Sequence, residues 1–257
     1  MLLAIDAGNT NIVFAVWDGD KVRCEWRAVT KTSRTADEYA VILKPLLELN
    51  DLKFTDFDGA IIATVVPAVR FDLRELCRKY LNIDPMVVGD PALDLGLKIL
   101  TLRPETVGAD RLVNAVAAHA AYPGALIVVD FGTATTFDVV GETGNYEGGV
   151  IAPGINLSAE ALHKAAAMLP RVAITRSATV IGKDTVPAMQ SGMYWGYIGL
   201  IEGLVSRIKA EYGKPMTVIA TGGLGRVFHR HTPAIDIYDP DLTIRGLTQI
   251  YARNKAR

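Results

Sequence analysis

The sequence has few features that would assign it to a membrane-bound, secreted or metal-centred class of protein. Its apolar runs have the length of strands, well short of the ~20 residues that a membrane-spanning helix needs. Only two of the 257 residues are cysteines, and Cys24 and Cys77 form no motif with each other or with a histidine. The N-terminus has no basic region before a long apolar one, as a signal peptide would. We therefore expect a cytoplasmic protein with two free thiols and no membrane contact.

The chain also has no excess of charge of either sign. The chain has 27 basic and 28 acidic residues, so no overall field attracts nucleic acid, and we expect no nucleic-acid partner. The four histidines have no spacing typical of a zinc site. The chain also has no Gly-x-x-x-x-Gly-Lys-Ser/Thr loop and no Gly-x-Gly-x-x-Gly after a strand, which argues against the P-loop and dinucleotide-binding classes.

The most informative stretch that is present covers residues 126–136. Four aliphatic residues, typical of a strand buried on both faces, are followed by Asp130, Gly132 and Thr133. An acid at the end of such a strand points to the place where α/β proteins bind ligands. Glycine lets backbone N–H groups face an anion. A plain strand-to-turn junction is the structural alternative.

The same pattern occurs near the N-terminus, where an apolar strand leads into Asp6, Gly8 and Thr10. The two acids are separated by close to half of the chain, which indicates a duplicated domain rather than a short repeat. The sequence predicts an α/β protein with two similar lobes, residues 1–105 and 106–257, whose mixed sheets are flanked by helices. We expect a cleft between the lobes that receives one Asp-x-Gly turn from each.

Periodicity and turn signals predict most of the elements. The predicted strands lie near residues 2–5, 12–17, 21–29, 59–66, 85–89, 126–129, 137–140, 146–151, 216–220 and 235–238. The predicted helices lie near 37–50, 67–80, 158–168, 186–212, 224–231 and 242–252, with an alanine-rich helix after 107–111. Tyr194, Trp195 and Tyr197 fall in the long helix, where we expect them to pack in the core or in a dimer interface.

The chemistry of the two Asp-x-Gly turns favours a nucleotide polyphosphate. Backbone donors and hydroxyl groups suit phosphate oxygens, whereas carboxylates would repel them unless a cation intervenes. A third glycine turn, at residues 221–223, follows another apolar strand and could approach a nucleoside.

The ordered motifs make the resemblance specific. The chain resembles the actin, sugar-kinase and heat-shock ATPase superfamily and, within it, the type III pantothenate kinases. The motifs that carry the resemblance, in order along nearly the whole chain, are Asp-Ala-Gly-Asn-Thr-Asn at 6–11, Gly-Ala-Asp-Arg at 108–111, Asp-Phe-Gly-Thr-Ala-Thr-Thr at 130–136, Gly-Gly-Val-Ile-Ala-Pro-Gly at 148–154 and Thr-Gly-Gly at 221–223.

This resemblance implies ATP-dependent phosphorylation of pantothenate, the first step of coenzyme A synthesis, with Mg²⁺ and a monovalent cation, K⁺ or NH₄⁺. Asp110 would be the general base and Asp130 would hold the monovalent cation. The implied ATP-binding residues are Asp6, Ala7, Gly8, Asn9, Thr10, Asn11, Ile12, Val13 and Thr133. The alternative reading of Asp110 is an acid that stabilises a helix N-terminus.

The implied pantothenate pocket contains Gly108, Ala109, Asp110 and Arg111. The planar guanidinium of Arg111 matches the substrate carboxylate on independent grounds. The resemblance also implies a homodimer in which Thr185 reaches the neighbouring active site, although Thr185 could simply be a helix N-cap. Many members carry an aromatic residue seven positions before Gly108, where this chain has Thr101, so the pocket wall differs here.

Three other functions compete with this interpretation. Another small-molecule kinase of the superfamily would share the nucleotide loops but lack the Gly-x-Asp-Arg motif. A non-catalytic regulatory relative, like the Bvg accessory factor, is disfavoured by the neutral charge and the lack of a nucleic-acid-binding motif. A heat-shock-type machine would need a peptide-binding domain for which the chain is too short.

Overall fold

The computed structural model describes residues 1–166 and 169–255. The strands are β1 (Leu2–Ala7), β2 (Asn11–Trp17), β3 (Val22–Val29), β4 (Gly59–Thr64), β5 (Met86–Val87), β6 (Ala125–Phe131), β7 (Ala134–Val140), β8 (Tyr146–Pro153), β9 (Met216–Thr221) and β10 (Ile237–Tyr238). The helices are α1 (Ala36–Glu48), α2 (Pro67–Leu76), α3 (Ala109–Ala121), α4 (Ile155–Ala165), α5 (Thr185–Tyr212), α6 (Gly225–Phe228) and α7 (Leu242–Lys255). A π-helical turn, Cys77–Leu81, follows α2, and 3-10 turns cover Phe54–Asp56 and Pro104–Thr106.

The strands form two five-stranded sheets of the same topology. The first has the order β3-β2-β1-β4-β5 and the second β10-β9-β6-β7-β8, so that β1 corresponds to β6 and β4 to β9. In each sheet the central strand pairs antiparallel with the next strand in sequence and parallel with a later one. The duplication that the two Asp-x-Gly turns predict is therefore present in the strand order, and the α/β class with mixed sheets is confirmed.

The central strands explain why both sheets form. Leu126 to Val129 of β6 are completely buried, because strands flank β6 on both sides and side chains pack on both faces. In β1, Leu3 and Ile5 face one core with α1 and α2, while Leu2 and Ala4 face another. In the second sheet, Ile127 and Val129 pack with residues of α5.

Local signals account for the helix ends. Thr35 caps α1: its hydroxyl accepts the Glu38 N–H at 3.4 Å, and the Glu38 carboxylate accepts the Thr35 N–H at 2.8 Å. Gly213, in the left-handed region, ends α5. The predicted element 224–231 is a single helical turn. The predicted helix 158–168 begins earlier, at Ile155, and its predicted end, Met168, lies outside the described residues.

The chain divides into two compact units. The first contains residues 1–121 and the segment that begins at Asp241, and the second contains residues 122–240. These units differ from the predicted lobes 1–105 and 106–257 because α3 and α7 pack with the first sheet. Ala109 and Val113 of α3 and Leu247 of α7 share a core with β1 and β4. Where the duplicated lobes divide stays a prediction.

Candidate active site

The first glycine loop, residues 6–11, joins β1 to β2. Asp6 lies half-buried near the end of β1, opposite Val13 of β2. The Gly8 N–H donates to the Asn11 carbonyl at 3.0 Å, which closes the turn. Thr30, just after β3, supports the loop: its hydroxyl donates to the Gly8 carbonyl at 2.7 Å and its N–H to the Thr10 carbonyl at 2.9 Å.

The other predicted ATP-binding residues of this loop fall into two groups. Asn9 and Thr10 are exposed at the tip, and Asn11 is half-buried. The side chains of Ala7 and Ile12 are buried in the core, so that only their backbone groups could serve a ligand. Val13 is half-buried and packs on the opposite face of the sheet.

The predicted acceptor motif, residues 108–111, lies at the carboxyl end of the same sheet. The Val65 N–H, just beyond β4, donates to the Ala7 carbonyl at 3.2 Å. The Val65 Cγ1 lies 3.3 Å from the position that a Cβ on Gly108 would take. The structure thus brings the start of α3 and the first glycine loop together through Val65. Sequence reasoning missed Val65, although the carboxyl ends of the parallel strands β1 and β4 necessarily meet there.

Asp110 lies in the first turn of α3. Its Oδ1 accepts the Arg111 N–H at 2.8 Å, and the side chain is half-buried. Burial raises the pKa of this carboxyl above its usual value, while the Arg111 N–H and the Arg111 guanidinium oppose the rise. A raised pKa strengthens the carboxylate as a proton acceptor.

The remaining predicted pocket residues of the first unit differ in what they can offer. Ala109 is buried in the core, whereas Arg111 is half-buried beside Asp110. Thr101 is half-buried in an irregular segment before the Pro104–Thr106 turn. Its hydroxyl is buried and makes no hydrogen bond among the described residues. Thr101 can therefore offer a hydroxyl at the position where the family resemblance implies an aromatic residue.

The second glycine loop, residues 130–133, joins β6 to β7 in the second unit. The Gly132 N–H donates to the Ala134 carbonyl at 3.0 Å, and Gly132 and Thr133 are exposed. Gly154, just after β8, donates its N–H to the Thr133 carbonyl at 3.1 Å. A Cβ on Gly154 would lie 2.3 Å from that same oxygen, so only glycine permits this approach.

Asp130 lies half-buried at the end of β6, beside the third glycine turn. Its partner in β9 is Thr221, and Gly222 follows with a φ of +84°. A Cβ on Gly222 would lie 2.5 Å from the Asp130 Oδ1, so the space for this carboxylate depends on the missing side chain. The sequence singled out the 221–223 turn as a possible approach to a nucleoside, but its contact with Asp130 required the structure.

Thr185 is the first residue of α5 and is exposed. The alternative interpretation of Thr185 as the helix N-cap is wrong, because the cap is Asp184, whose Oδ1 accepts the Thr185 N–H at 2.7 Å. The Thr185 side chain therefore has no capping role.

Two features of the described residues bear on the class of protein. Within residues 1–166 and 169–255, no group of three or more His, Cys, Asp or Glu side chains is arranged to hold a metal ion. No helix in that part of the chain has the length and apolarity needed to cross a membrane.

Two mixed sheets of one topology, each with a carboxylate and a glycine turn after its central strand, define an actin-like ATPase or sugar-kinase fold. Solved structures agree. A protein from Campylobacter jejuni named as a Baf family transcriptional activator superposes with a TM-score of 0.60 at 21% identity, over 99% of this chain and 100% of that one. A Sinorhizobium meliloti protein named as a 2-dehydro-3-deoxygalactonokinase gives 0.58 at 16% identity, over 99% and 97%. At these identities the likeness concerns the fold alone.

The chain belongs to the type III pantothenate kinase family, whose model matches residues 2–207. A type III pantothenate kinase of Paramagnetospirillum magneticum is 65% identical over 254 residues, which cover 99% of this chain and 98% of the relative. One from Rhodospirillum rubrum is 64% identical over 255 residues, covering 99% of each. The family resemblance inferred from the ordered motifs is confirmed.

Proposed function

We propose that the protein transfers the γ-phosphoryl group of ATP to the primary hydroxyl of pantothenate and yields 4′-phosphopantothenate, the first step of coenzyme A synthesis. The observation that carries the proposal is the position of Asp110. This carboxylate of raised pKa starts a helix that meets the first glycine loop through Val65. Membership of the type III pantothenate kinase family supports the choice of acceptor.

Asp110 acts as the general base. Its carboxylate accepts the proton of the pantothenate hydroxyl as that oxygen attacks the γ-phosphorus, the bond from the γ-phosphorus to the bridging oxygen breaks, and ADP leaves. Phosphoryl transfer depends mainly on positioning and charge neutralisation, so the base chiefly orients the nucleophile and removes its proton. The hydrogen bond from the Arg111 N–H fixes one carboxylate oxygen and thereby sets the direction of the other.

The two glycine loops bind the phosphates of ATP. Residues 6–13 offer backbone N–H groups and the exposed polar side chains of Asn9 and Thr10, and Thr133 adds a hydroxyl from the second loop. Donors of this kind suit phosphate oxygens. Because Ala7 and Ile12 are core residues, their contribution is restricted to the backbone.

The donor set also fits the cations that the reaction needs. The space beside Gly222 accommodates the Asp130 carboxylate, an oxygen ligand of the type that hard cations prefer. Asp130 would hold the monovalent cation, K⁺ or NH₄⁺. Bound Mg²⁺ would neutralise charge on the phosphates.

Pantothenate binds to residues 108–111, with the Arg111 guanidinium on its carboxylate and the Thr101 hydroxyl near its polar groups. The buried hydroxyl of Thr101, which has no hydrogen-bond partner in the described part of the chain, supports this role. The protein acts as a homodimer to which Thr185 of a second copy contributes. The exposed apolar side chains of Val180, Ile181 and Val186, close to Thr185 in sequence, support such an interface. Free Cys24 and Cys77 are consistent with a cytoplasmic setting.

The decisive experiment measures ATP turnover with and without pantothenate, first in K⁺ and then in Na⁺, with mass spectrometry of the product. We expect turnover that requires pantothenate, a product heavier by one phosphoryl group, and a higher rate in K⁺. A panel of sugars and acetate as acceptors serves as the control. Turnover that ignores pantothenate, or prefers another acceptor, would contradict the proposal.

A further inference from the structure

The two glycine loops are held by equivalent backbone hydrogen bonds but by different side chains. In each sheet, the residue that follows the third strand in sequence donates its N–H to the loop. Thr30, after β3, donates to the Thr10 carbonyl, and Gly154, after β8, donates to the Thr133 carbonyl. Thr30 also donates its hydroxyl to the first loop, at the Gly8 carbonyl. Gly154 has no side chain to offer, so any hydroxyl support of the second loop must come from elsewhere in the chain.

A hydroxyl at this place comes from Tyr197, in the middle of α5. The Tyr197 hydroxyl is hydrogen-bonded to the hydroxyl of Thr135, the second residue of β7. It also donates to the Pro153 carbonyl at 3.4 Å, immediately before Gly154. Burial raises the pKa of Tyr197, and hydrogen bonds from Thr135 and from the Ile155 backbone partly offset the rise. One phenol thus joins the end of the second loop to the β8–α4 corner.

The surroundings make this arrangement rigid. Tyr197 is 6% exposed and Thr135 is 1% exposed, so neither hydroxyl has ready access to water as a substitute partner. The Tyr197 ring packs on Phe131, within the loop segment, at 6.4 Å between centroids, and on Phe228 at 5.2 Å. The α4 helix has no side-chain cap of its own at Gly154, and the backbone of Ile155, its first residue, lowers the pKa of Tyr197.

We propose that Tyr197 is a positioning residue for the phosphates of ATP: its hydroxyl fixes Thr135 against the β8–α4 corner and so holds residues 132–133 in their binding conformation. This inference rests on the proposed function in one respect, the role of the second loop in ATP binding. It adds a residue of the long helix, otherwise expected only to pack, to the determinants of nucleotide affinity.

The test compares Tyr197→Phe with Tyr194→Phe. Both changes remove a buried phenol hydroxyl from the same helix, but the Tyr194 hydroxyl makes no hydrogen bond among the described residues. We expect Tyr197→Phe to raise the KM for ATP about tenfold, as for loss of a buried hydrogen bond, and to leave the KM for pantothenate within about twofold. Tyr194→Phe should leave both constants unchanged.

A second readout does not depend on the acceptor. The rise in Tm caused by a non-hydrolysable ATP analogue should be smaller in Tyr197→Phe than in the wild type and in Tyr194→Phe. A double variant, Tyr197→Phe with Thr133→Ala, should raise the KM for ATP by much less than the product of the two single effects, because both changes act on one loop.

The outcomes separate the two proposals. If Tyr197→Phe lowers Tm but leaves the KM for ATP and the analogue-induced Tm shift unchanged, Tyr197 is merely structural and the inference is overturned. An equal rise in both KM values would also overturn it. If the wild type shows no pantothenate-dependent turnover, the proposed function fails, while the analogue-induced Tm shift still decides the role of Tyr197 in nucleotide binding.

Discussion

The two sheets have one topology and two different carboxyl ends. The pairing of Asp6 with Ala63 in the first sheet corresponds to that of Asp130 with Thr221 in the second, so Thr64 occupies the place of Gly222. The Thr64 hydroxyl donates to the Ala7 carbonyl at 3.2 Å and accepts the Val66 N–H at 3.0 Å. Gly222 makes room for a carboxylate instead.

The two copies of the scaffold use their strand ends differently. In the first unit the strand end is tied down by hydrogen bonds, and Val65 then supports the acceptor motif beside the loop. In the second unit the strand end turns through a positive φ, which lets Asp130 occupy the space above it. The proposed roles follow this difference, with the acceptor chemistry in one copy and the cation in the other.

The largest effect is expected when the proposed general base, Asp110, is removed. Asp110→Asn keeps the size of the side chain but cannot accept the proton, so we expect kcat to fall by about 10²–10⁴-fold. ATP binding should survive, because the glycine loops are untouched, and titration with a fluorescent ATP analogue would check this. Unchanged turnover in this variant would remove Asp110 from its role.

The next test concerns recognition of the acceptor. Arg111→Ala should raise the KM for pantothenate by about ten- to a hundredfold, from the loss of a charge-assisted hydrogen bond of roughly 1.5–3 kcal/mol. The KM for ATP should stay constant, because the change leaves the glycine loops untouched. Arg103→Ala, which removes an exposed charge from the same region, is the matched control. Equal effects of the two changes would argue against a specific contact.

The corresponding test on the cation side is Gly222→Ala. The added Cβ would meet the Asp130 Oδ1, so we expect the K⁺ concentration needed for half-maximal activation to rise about 10–100-fold. Gly213→Ala is the control: Gly213 has a similar φ of +75° but nothing within 4 Å of its added Cβ. Both changes should lower stability by about 1–3 kcal/mol through backbone strain. If both weakened K⁺ activation alike, the Asp130 contact would be irrelevant.

A smaller effect is expected where the first loop is supported locally. Thr30→Val removes the hydrogen bond to the Gly8 carbonyl but keeps the backbone bond to Thr10. The loss of about 0.5–1.5 kcal/mol should raise the KM for ATP roughly two- to tenfold. Thr32→Val, at an exposed position two residues later, provides the comparison. A similar rise from Thr30→Val and Tyr197→Phe would sharpen the equivalence of the two supports.

The smallest expected effect is on stability. Because burial raises the pKa of Asp110 in the folded state, its stabilising contribution is present at low pH and is lost as the pH rises through that pKa. Asp110→Asn should therefore raise Tm at pH 7, and the gain should shrink in acid. The pKa of Asp18 is shifted in the opposite direction, because the backbone N–H groups of Lys21 and Asp20 donate to its carboxylate and lower its pKa. Asp18→Asn should lower Tm at pH 7, and a gain there would contradict this account.

Much of the fold was predictable because it depends on local patterns. The buried run at 126–129, the acid that begins α1 and the glycine that ends α5 each encode their element within a few residues. The placement of α3 and α7 was not predictable in this way. Their apolar faces fit either sheet by pattern, and only packing with β1 and β4 assigns them to the first unit.

The candidate site divides along the same line. Asp6, Asp110 and Asp130 could be named from the sequence because a carboxylate before a glycine turn, or within an ordered motif, is a local signal. Val65 and Tyr197 carry no such signal. Each is an ordinary apolar or aromatic residue until the fold sets it against a loop that is distant in the sequence.

By itself, the sequence determined the duplicated α/β architecture, the family and the carboxylates of the site, since strand periodicity and glycine turns depend on neighbouring residues. Only the tertiary structure decided that Gly222 makes room for Asp130, that Val65 joins the acceptor motif to the first loop, and that the Tyr197 hydroxyl meets Thr135 just after the second. These are contacts between residues far apart in the chain, and their existence depends on how strands and helices pack rather than on any local preference.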